Sequence, residues 1–292
     1  TLFRSEDNNL RAIALQSKDV DVIQKVDTAT RSLFKDGFNI QDIAGVRVFM
    51  LKMNQTAASP LHDKAVRNAV AHIINYDSMA KIIGNGSTPG AAPFPPSANL
   101  GYDAIANKAM TDVAKADQIL TQAGYAKNAN GIYAKDGKEL AVTLAIWGKD
   151  TSLYEEIQQE LKQAGIAVTL KKLQSAGEVD TLGTDGFDLV ERNVVTMSTN
   201  DPYWALSLFY KTGAKANVGG YSNPQVDALI DQLSVTFDQN ERSNIAKQAQ
   251  QILVDDVADI YLLYPSATVV STTKVKKVPV HPIDYYLIKK DS

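Results

Sequence analysis

The sequence predicts an α/β fold, and three observations carry that reading. Leu140, Val142, Leu144 and Ile146 alternate with Ala141, Thr143 and Ala145, the period-two pattern of a strand. Leu153, Ile157, Leu161 and Ala164 then recur at helical spacing, and Gly165 stops that run. Ile166, Val168 and Leu170 alternate again. Strand, helix and strand in close succession make a β-α-β unit, which requires parallel strands and a right-handed crossover.

The other elements follow in chain order. The first segment reads strand, helix, strand: Leu10, Ile13 and Ala14 suit a helix, and the apolar run at 20–23 follows a charged break. Residues 46–54 are β-rich, through Val46, Val48, Phe49, Leu51 and Met53. Ser59-Pro60 has the form of an N-cap with proline at the first helical position. Behind it, Leu61, Ala65, Ala69, Val70, Ile73 and Ile74 share a helical face, and Asp77 caps a short successor.

The stretch 84–102 holds Pro89, Pro93, Pro95 and Pro96 with four glycines, so it cannot be a helix interior. It is expected to wrap over a surface or to carry function. A helix at 112–123, ended by Gly124, follows. A further apolar strand spans 187–195. Asn223-Pro224 opens a helix with Val226, Leu229, Ile230 and Leu233 inward. Asp238 with Glu241 resembles a capping box for the next helix. The tail from 260 to 288 is β-rich and broken by Pro265, Pro279 and Pro282.

Composition narrows the function classes. A length of 292 residues suggests about two domains at roughly 150 residues each. Apolar residues at 45% supply a core. A net charge of −3 argues against a nucleic-acid binder built on a basic face. The absence of cysteine removes disulfides, thiolate metal sites and cysteine nucleophiles. No apolar run reaches transmembrane length. A chain that begins at Thr1 with no signal segment is expected to have lost its natural N-terminus.

Catalytic motifs are missing from the sequence. His62, His72 and His281 have no mutual ligand spacing. His72 reads as a packed helix residue and His62 as solvated. His281 reads as an exposed turn residue and is the best of the three for a bound metal complex. No GxSxG elbow, phosphate loop or dinucleotide glycine signature occurs. The pairs Glu155/Glu156 and Asp255/Asp256 read as solvated helix faces.

One constellation stands apart. The strand at 187–195 runs into Thr196, Met197, Ser198, Thr199, Asn200, Asp201, Pro202, Tyr203 and Trp204. Strand ends in parallel sheets open onto the crevice where ligands sit. This one gathers hydroxyls, an amide, a carboxylate, a thioether and an indole, which suits a small-ligand pocket. The bland alternative is an Asp-Pro helix cap with Trp204 in the core.

Several segments together resemble one family. They are the run Leu15 to Ile23; Asp63-Lys64-Ala65-Val66-Arg67 with Ile74-Asn75-Tyr76-Asp77; the proline loop from Thr88 to Pro96 with Gly101-Tyr102-Asp103; the helix from Ala116 to Tyr125; and Tyr221-Ser222-Asn223-Pro224-Gln225-Val226-Asp227. In this order they resemble the extracellular solute-binding proteins of the peptide/nickel/opine type, family 5, which deliver ligand to ABC importers. The resemblance implies a type II periplasmic-binding-protein lobe, a mixed sheet flanked by helices, with partial segments of the other lobe. It implies a longer full-length member, of which this chain is a C-terminal fragment. Residues 1–47 and 265–292 would belong to the first lobe and 48–264 to the second. The crossing strands would lie near 46–54 and 260–268.

The resemblance also implies function. The protein would capture a small polar ligand between two lobes, a nickel or other metal chelate or a short peptide, and pass it to a permease. Ligand contacts from this lobe would be Thr196, Met197, Ser198, Asn200, Asp201, Trp204 and Tyr221. No catalytic residue, protein-held metal or cofactor is implied. The protein would be a monomer outside the cytoplasm, free in a periplasm or a Gram-positive surface lipoprotein whose anchor lies outside this chain.

Two departures bear on cargo. In peptide-binding relatives an aspartate three residues before the acidic-Pro pair holds the peptide amino group, and here Ser198 stands there. In a nickel-type relative a Trp and a Tyr of this loop touch the metal complex, and here Thr196 and Asn200 stand there. The segment from Tyr261 to Tyr264, with Val280-His281-Pro282-Ile283-Asp284-Tyr285-Tyr286, nevertheless resembles the nickel-binding branch. The competing readings are a hydrolase on an α/β scaffold and a signalling or adhesion module that keeps the fold.

Overall fold

The computed structural model describes residues 5, 7–148, 150–275, 278 and 281–283. Among them the helices are α1 (Asn8–Gln16), α2 (Thr28–Arg31), α3 (Lys64–Ile73), α4 (Tyr76–Ile83), α5 (Val113–Gln122), α6 (Ser152–Ala164), α7 (Pro202–Phe209), α8 (Pro224–Val235) and α9 (Gln239–Asp255). The strands are β1 (Val22–Gln24), β2 (Phe38–Ala44), β3 (Arg47–Met53), β4 (Thr88–Pro89), β5 (Ala126–Lys127), β6 (Tyr133–Lys135), β7 (Lys138–Glu139), β8 (Ala141–Ile146), β9 (Ala167–Lys172), β10 (Leu189–Val195), β11 (Asp259–Tyr264) and β12 (Ser266–Thr272).

The main sheet has the order β4-β11-β3-β10-β8-β9. It is mixed: β8, β9 and β10 run parallel, whereas β3 is antiparallel to both β10 and β11. The strand–helix–strand unit read from the alternation is β8-α6-β9. Pleating sends alternate residues to opposite faces. Leu51, Met53 and Leu189 join an apolar layer with α3 and α6. Val48, Met50 and Val195 join a second layer with α7, α8 and α9. Helices thus flank the sheet on both faces.

A second sheet, β1-β12-β2, has its own small core of Leu15, Ile23, Phe34 and Val270. The chain passes between the two sheets twice. Two residues, Gly45 and Val46, form the first passage between Ala44 and Arg47, and Pro265 alone separates β11 from β12. Both passages join neighbouring strands, since Ala44 pairs with Ser266 on one side and Phe49 with Leu263 on the other.

The helix caps follow local chemistry, with two corrections to the sequence reading. Ser59 caps only a short 3-10 turn at Pro60–His62, and Asp63 accepts from Ala65 N to cap α3. Asn75, rather than Asp77, caps α4, and Asp77 lies in its first turn. Asp112, Asn223 and Asp238 cap α5, α8 and α9.

The proline stretch wraps the edge of the main sheet, through β4 and two 3-10 turns. Tyr264 Oη anchors it, donating to Ala92 O at 2.8 Å and accepting from Ala91 N and Ala92 N. Gly90 approaches so closely that a Cβ there would stand 2.5 Å from Tyr261 O. The initial strand expected before α1 lies outside the described residues, as do 276–277, 279–280 and 284–288 of the β-rich tail.

Candidate functional site

β10 pairs with β3 along its whole length, ending at Val195 opposite Arg47. The next residue, Thr196, is 2% exposed. Its amide donates to Val46 O at 3.0 Å and its hydroxyl to the same oxygen at 3.2 Å. Val46 N in turn donates to Pro282 O at 3.1 Å, and Ser97 Oγ donates to Gly45 O at 2.6 Å. The end of β10 is therefore fastened to the first passage between the sheets.

Beyond Thr196 the chain turns sharply. Met197 is buried in the apolar layer under α7. Asn200 has φ +56° and donates its amide to Met197 O at 2.9 Å, a conformation asparagine tolerates better than most residues. Asp201 accepts from Tyr203 N at 2.8 Å and caps α7, with Pro202 at its first position. The second carboxylate oxygen of Asp201 pairs with Arg242, which also donates to the carbonyls of Leu233 and Thr236. Trp204 is half-buried and meets Phe209 edge to face, with centroids 5.7 Å apart.

Of the seven residues expected to touch ligand, Thr196, Met197 and Asp201 spend their polar or apolar groups on the protein itself. Ser198 in the loop and Trp204 in α7 are half-buried and Asn200 is exposed, so each keeps some surface open to solvent. Tyr221 is not brought to the loop. Its hydroxyl donates to Asp256 Oδ2 at 2.8 Å and its ring meets Tyr210 edge to face. Asp256 precedes Asp259, whose strand partner is Lys52, whereas the loop follows the partner of Arg47. Those positions are five steps apart along β3, about 16 Å along the sheet. Burial and the Asp256 carboxylate push the Tyr221 hydroxyl well above the ordinary tyrosine range.

The histidines stay apart. His62 is exposed, with Nδ1 2.8 Å from Gln55 O. His72 is buried against Met110 O at 2.7 Å. His281 is half-buried rather than fully exposed, and Nδ1 accepts from Ile283 N at 3.0 Å. Among the described residues no three His, Asp or Glu groups could hold a metal ion together. Asp256 is more than a solvated carboxylate, because Tyr221 and Asn223 both donate to it.

Three buried charged side chains, Lys52, Asp259 and Glu191, escaped the sequence reading. Lys52 Nζ lies 2.7 Å from Asp259 Oδ2, with both side chains 1% exposed. Lys52 also donates to Phe209 O and sits 4.3 Å from the Tyr210 ring centroid. Glu191, in β10, is buried and accepts from Trp147 N at 2.8 Å. A lysine inside the apolar run of β3, and a glutamate inside that of β10, were the available signals.

Chemically, the loop and the first turn of α7 offer a hydroxyl, an amide and an indole beside a carboxylate already neutralised by arginine. That set suits hydrogen bonding and stacking on a polar ligand.

The description "Bacterial extracellular solute-binding proteins, family 5 Middle" matches residues 2–217. The chain belongs to this family.

Among family 5 relatives, the nickel-binding protein NikA of Staphylococcus aureus is 26% identical over 294 residues, covering 99% of this chain and 57% of NikA. The probable D,D-dipeptide-binding periplasmic protein DdpA of Escherichia coli is 27% identical over 282 residues, covering 94% of this chain and 52% of DdpA. The crystal structure of S. aureus NikA in complex with Ni(L-His)2 superposes with a TM-score of 0.75 at 25% identity, covering 97% of this chain and 59% of that one. The chain thus spans about half the length of the curated relatives it matches. No helix among the described residues is long and apolar enough to cross a membrane.

Proposed function

We propose that this chain is the second lobe, with two strips of the first, of a substrate-binding component of an ABC importer. Residues 48–264 form that lobe in this reading, and 1–47 and 265–292 belong to its counterpart. The passages at Gly45-Val46 and at Pro265 are the hinge. The observation that carries the reading is the attachment of the Thr196–Asp201 loop to the first of these passages. A ligand gripped by that loop would sit where the lobes close, and contacts made only in the closed state would favour closure.

Ser198, Asn200 and Trp204 make the direct contacts, and Thr196, Met197 and Asp201 hold the loop in shape. The cargo class is a small polar ligand, a nickel or other metal chelate or a short peptide. NikA and DdpA support those two classes by their own names. A metal would arrive as cargo with its chelator, since the loop offers neutral donors and one arginine-paired carboxylate. The protein would work outside the cytoplasm as a monomer, handing ligand to a permease, and would catalyse no reaction.

Calorimetric titration of the longer protein containing both lobes, with nickel(II)–L-histidine and with a D-alanyl dipeptide, tests this. One-to-one binding of either supports the reading, and heat of dilution alone from both counts against it.

A further inference from the structure

A concave site lies away from the loop. The β5–β6–β7 hairpin sits at the start of the parallel strands, because Leu140 N donates to Tyr133 O and Ala167 N to Leu140 O. The Thr196–Asp201 loop follows the opposite, C-terminal end of β10. Between the hairpin and helices α3, α5 and α6 is a cavity of about 370 Å³.

Its construction is specific. Tyr133 N donates to Gly165 O at 2.8 Å, and a Cβ at Gly165 would meet Gly131 O at 2.7 Å, so the hairpin is seated directly on the end of α6. Ile73, Ala116, Leu120 and Ala164 supply buried apolar lining. Asp117 and Lys127 stand exposed at the same cavity. The Tyr133 hydroxyl donates to Asp117 Oδ1, and Lys127 Nζ lies 4.9 Å from the Tyr133 ring centroid. One acceptor-only group and one donor-only group therefore flank an apolar floor. A cavity of this volume lies within the size range of small-molecule sites.

We propose that this cavity binds a free α-amino acid with an apolar side chain. The ammonium group meets Asp117, the carboxylate meets Lys127 and the side chain fills the floor. Both charged groups are exposed, so binding is weak and sensitive to salt. The site is independent of the ligand loop.

The test is an NMR titration of the 292-residue chain with L-leucine. Saturable shifts are expected at the amides of Val113, Ala114, Asp117 and Lys127. Lys127→Glu should weaken binding about tenfold or more, a loss of about 1.4 kcal/mol, and Asp117→Asn should weaken it with little change in thermal stability. N-acetyl-leucinamide, which lacks both charges, should not bind. Absence of saturable shifts would overturn the proposal. So would equal binding of N-acetyl-leucinamide, or shifts confined to Trp204 and its neighbours.

Discussion

Thr196 grips Val46 twice, with amide and hydroxyl both donating to one carbonyl oxygen at 3.0 and 3.2 Å. That oxygen belongs to the short passage between the two sheets. Thr196→Val keeps the shape and the amide bond but removes the hydroxyl bond. The expected cost is about 1 kcal/mol of stability, measured by urea unfolding. The same variant should raise amide exchange across 197–201 more than in β8 or α6, which hydrogen-exchange mass spectrometry reads directly.

Lys52 and Asp259 form an ion pair within the second apolar layer. Burial opposes the charge on each, pushing Lys52 down and Asp259 up, while each partner pulls the other back. Breaking such a pair leaves one buried charge uncompensated. Lys52→Met alone should cost about 3–5 kcal/mol in chemical denaturation. The double variant with Asp259→Leu should recover most of that loss, because the remaining charge is gone.

Arg67 joins the start of α3 to the end of α9. It donates to Leu61 O, His62 O, Asp256 O and Val257 O, at 2.9 to 3.2 Å. Val257 has φ +49°, so these bonds hold a turn that the backbone alone disfavours. Arg67→Lys keeps the charge but lacks the planar fork of donors. It should cost about 2–3 kcal/mol, read as a lowered urea midpoint.

Glu191 makes stability depend on pH in a defined direction. Burial raises its pKa, and the bonds from Tyr154 and Trp147 lower it by less. The folded state therefore binds more protons than the unfolded state above the ordinary carboxylate value of 4.5. Its contribution to stability is present below that value and is lost as pH rises through the raised folded pKa. Glu191→Gln keeps an acceptor for Trp147 N and removes the titration. Thermal melts between roughly pH 4 and pH 8 should fall less steeply for this variant than for the parent chain.

Much of the fold was legible because period and capping agree. The alternation at 140–146 and the helical spacing behind it became β8 and α6, and Asp238 with Glu241 became the start of α9. β2 was missed because Asn39, Gln41 and Asp42 break its apolar run, and its stability comes from pairing with β12, more than 200 residues away. The β5–β6–β7 hairpin was missed because its strands are two or three residues long. Local sequence cannot encode such distant partners.

The loop stands out in the sequence because polar and aromatic residues follow a buried strand. Its internal division does not. Asp201 is committed to Tyr203 N and Arg242, and the arginine lies 41 residues downstream. Tyr221 was expected at the ligand through the family resemblance, yet its hydroxyl donates to Asp256.

Ser198, Asn200 and Trp204 are the proposed ligand-contacting edge of this lobe. Calorimetry of the two-lobed protein with nickel(II)–L-histidine and with a D-alanyl dipeptide, repeated on Asn200→Ala/Trp204→Ala, tests it most directly. One-to-one binding of one of these ligands is expected, with at least about a tenfold loss in the double variant. Binding of unchanged strength in that variant, or no binding of either ligand to the parent protein, would contradict it.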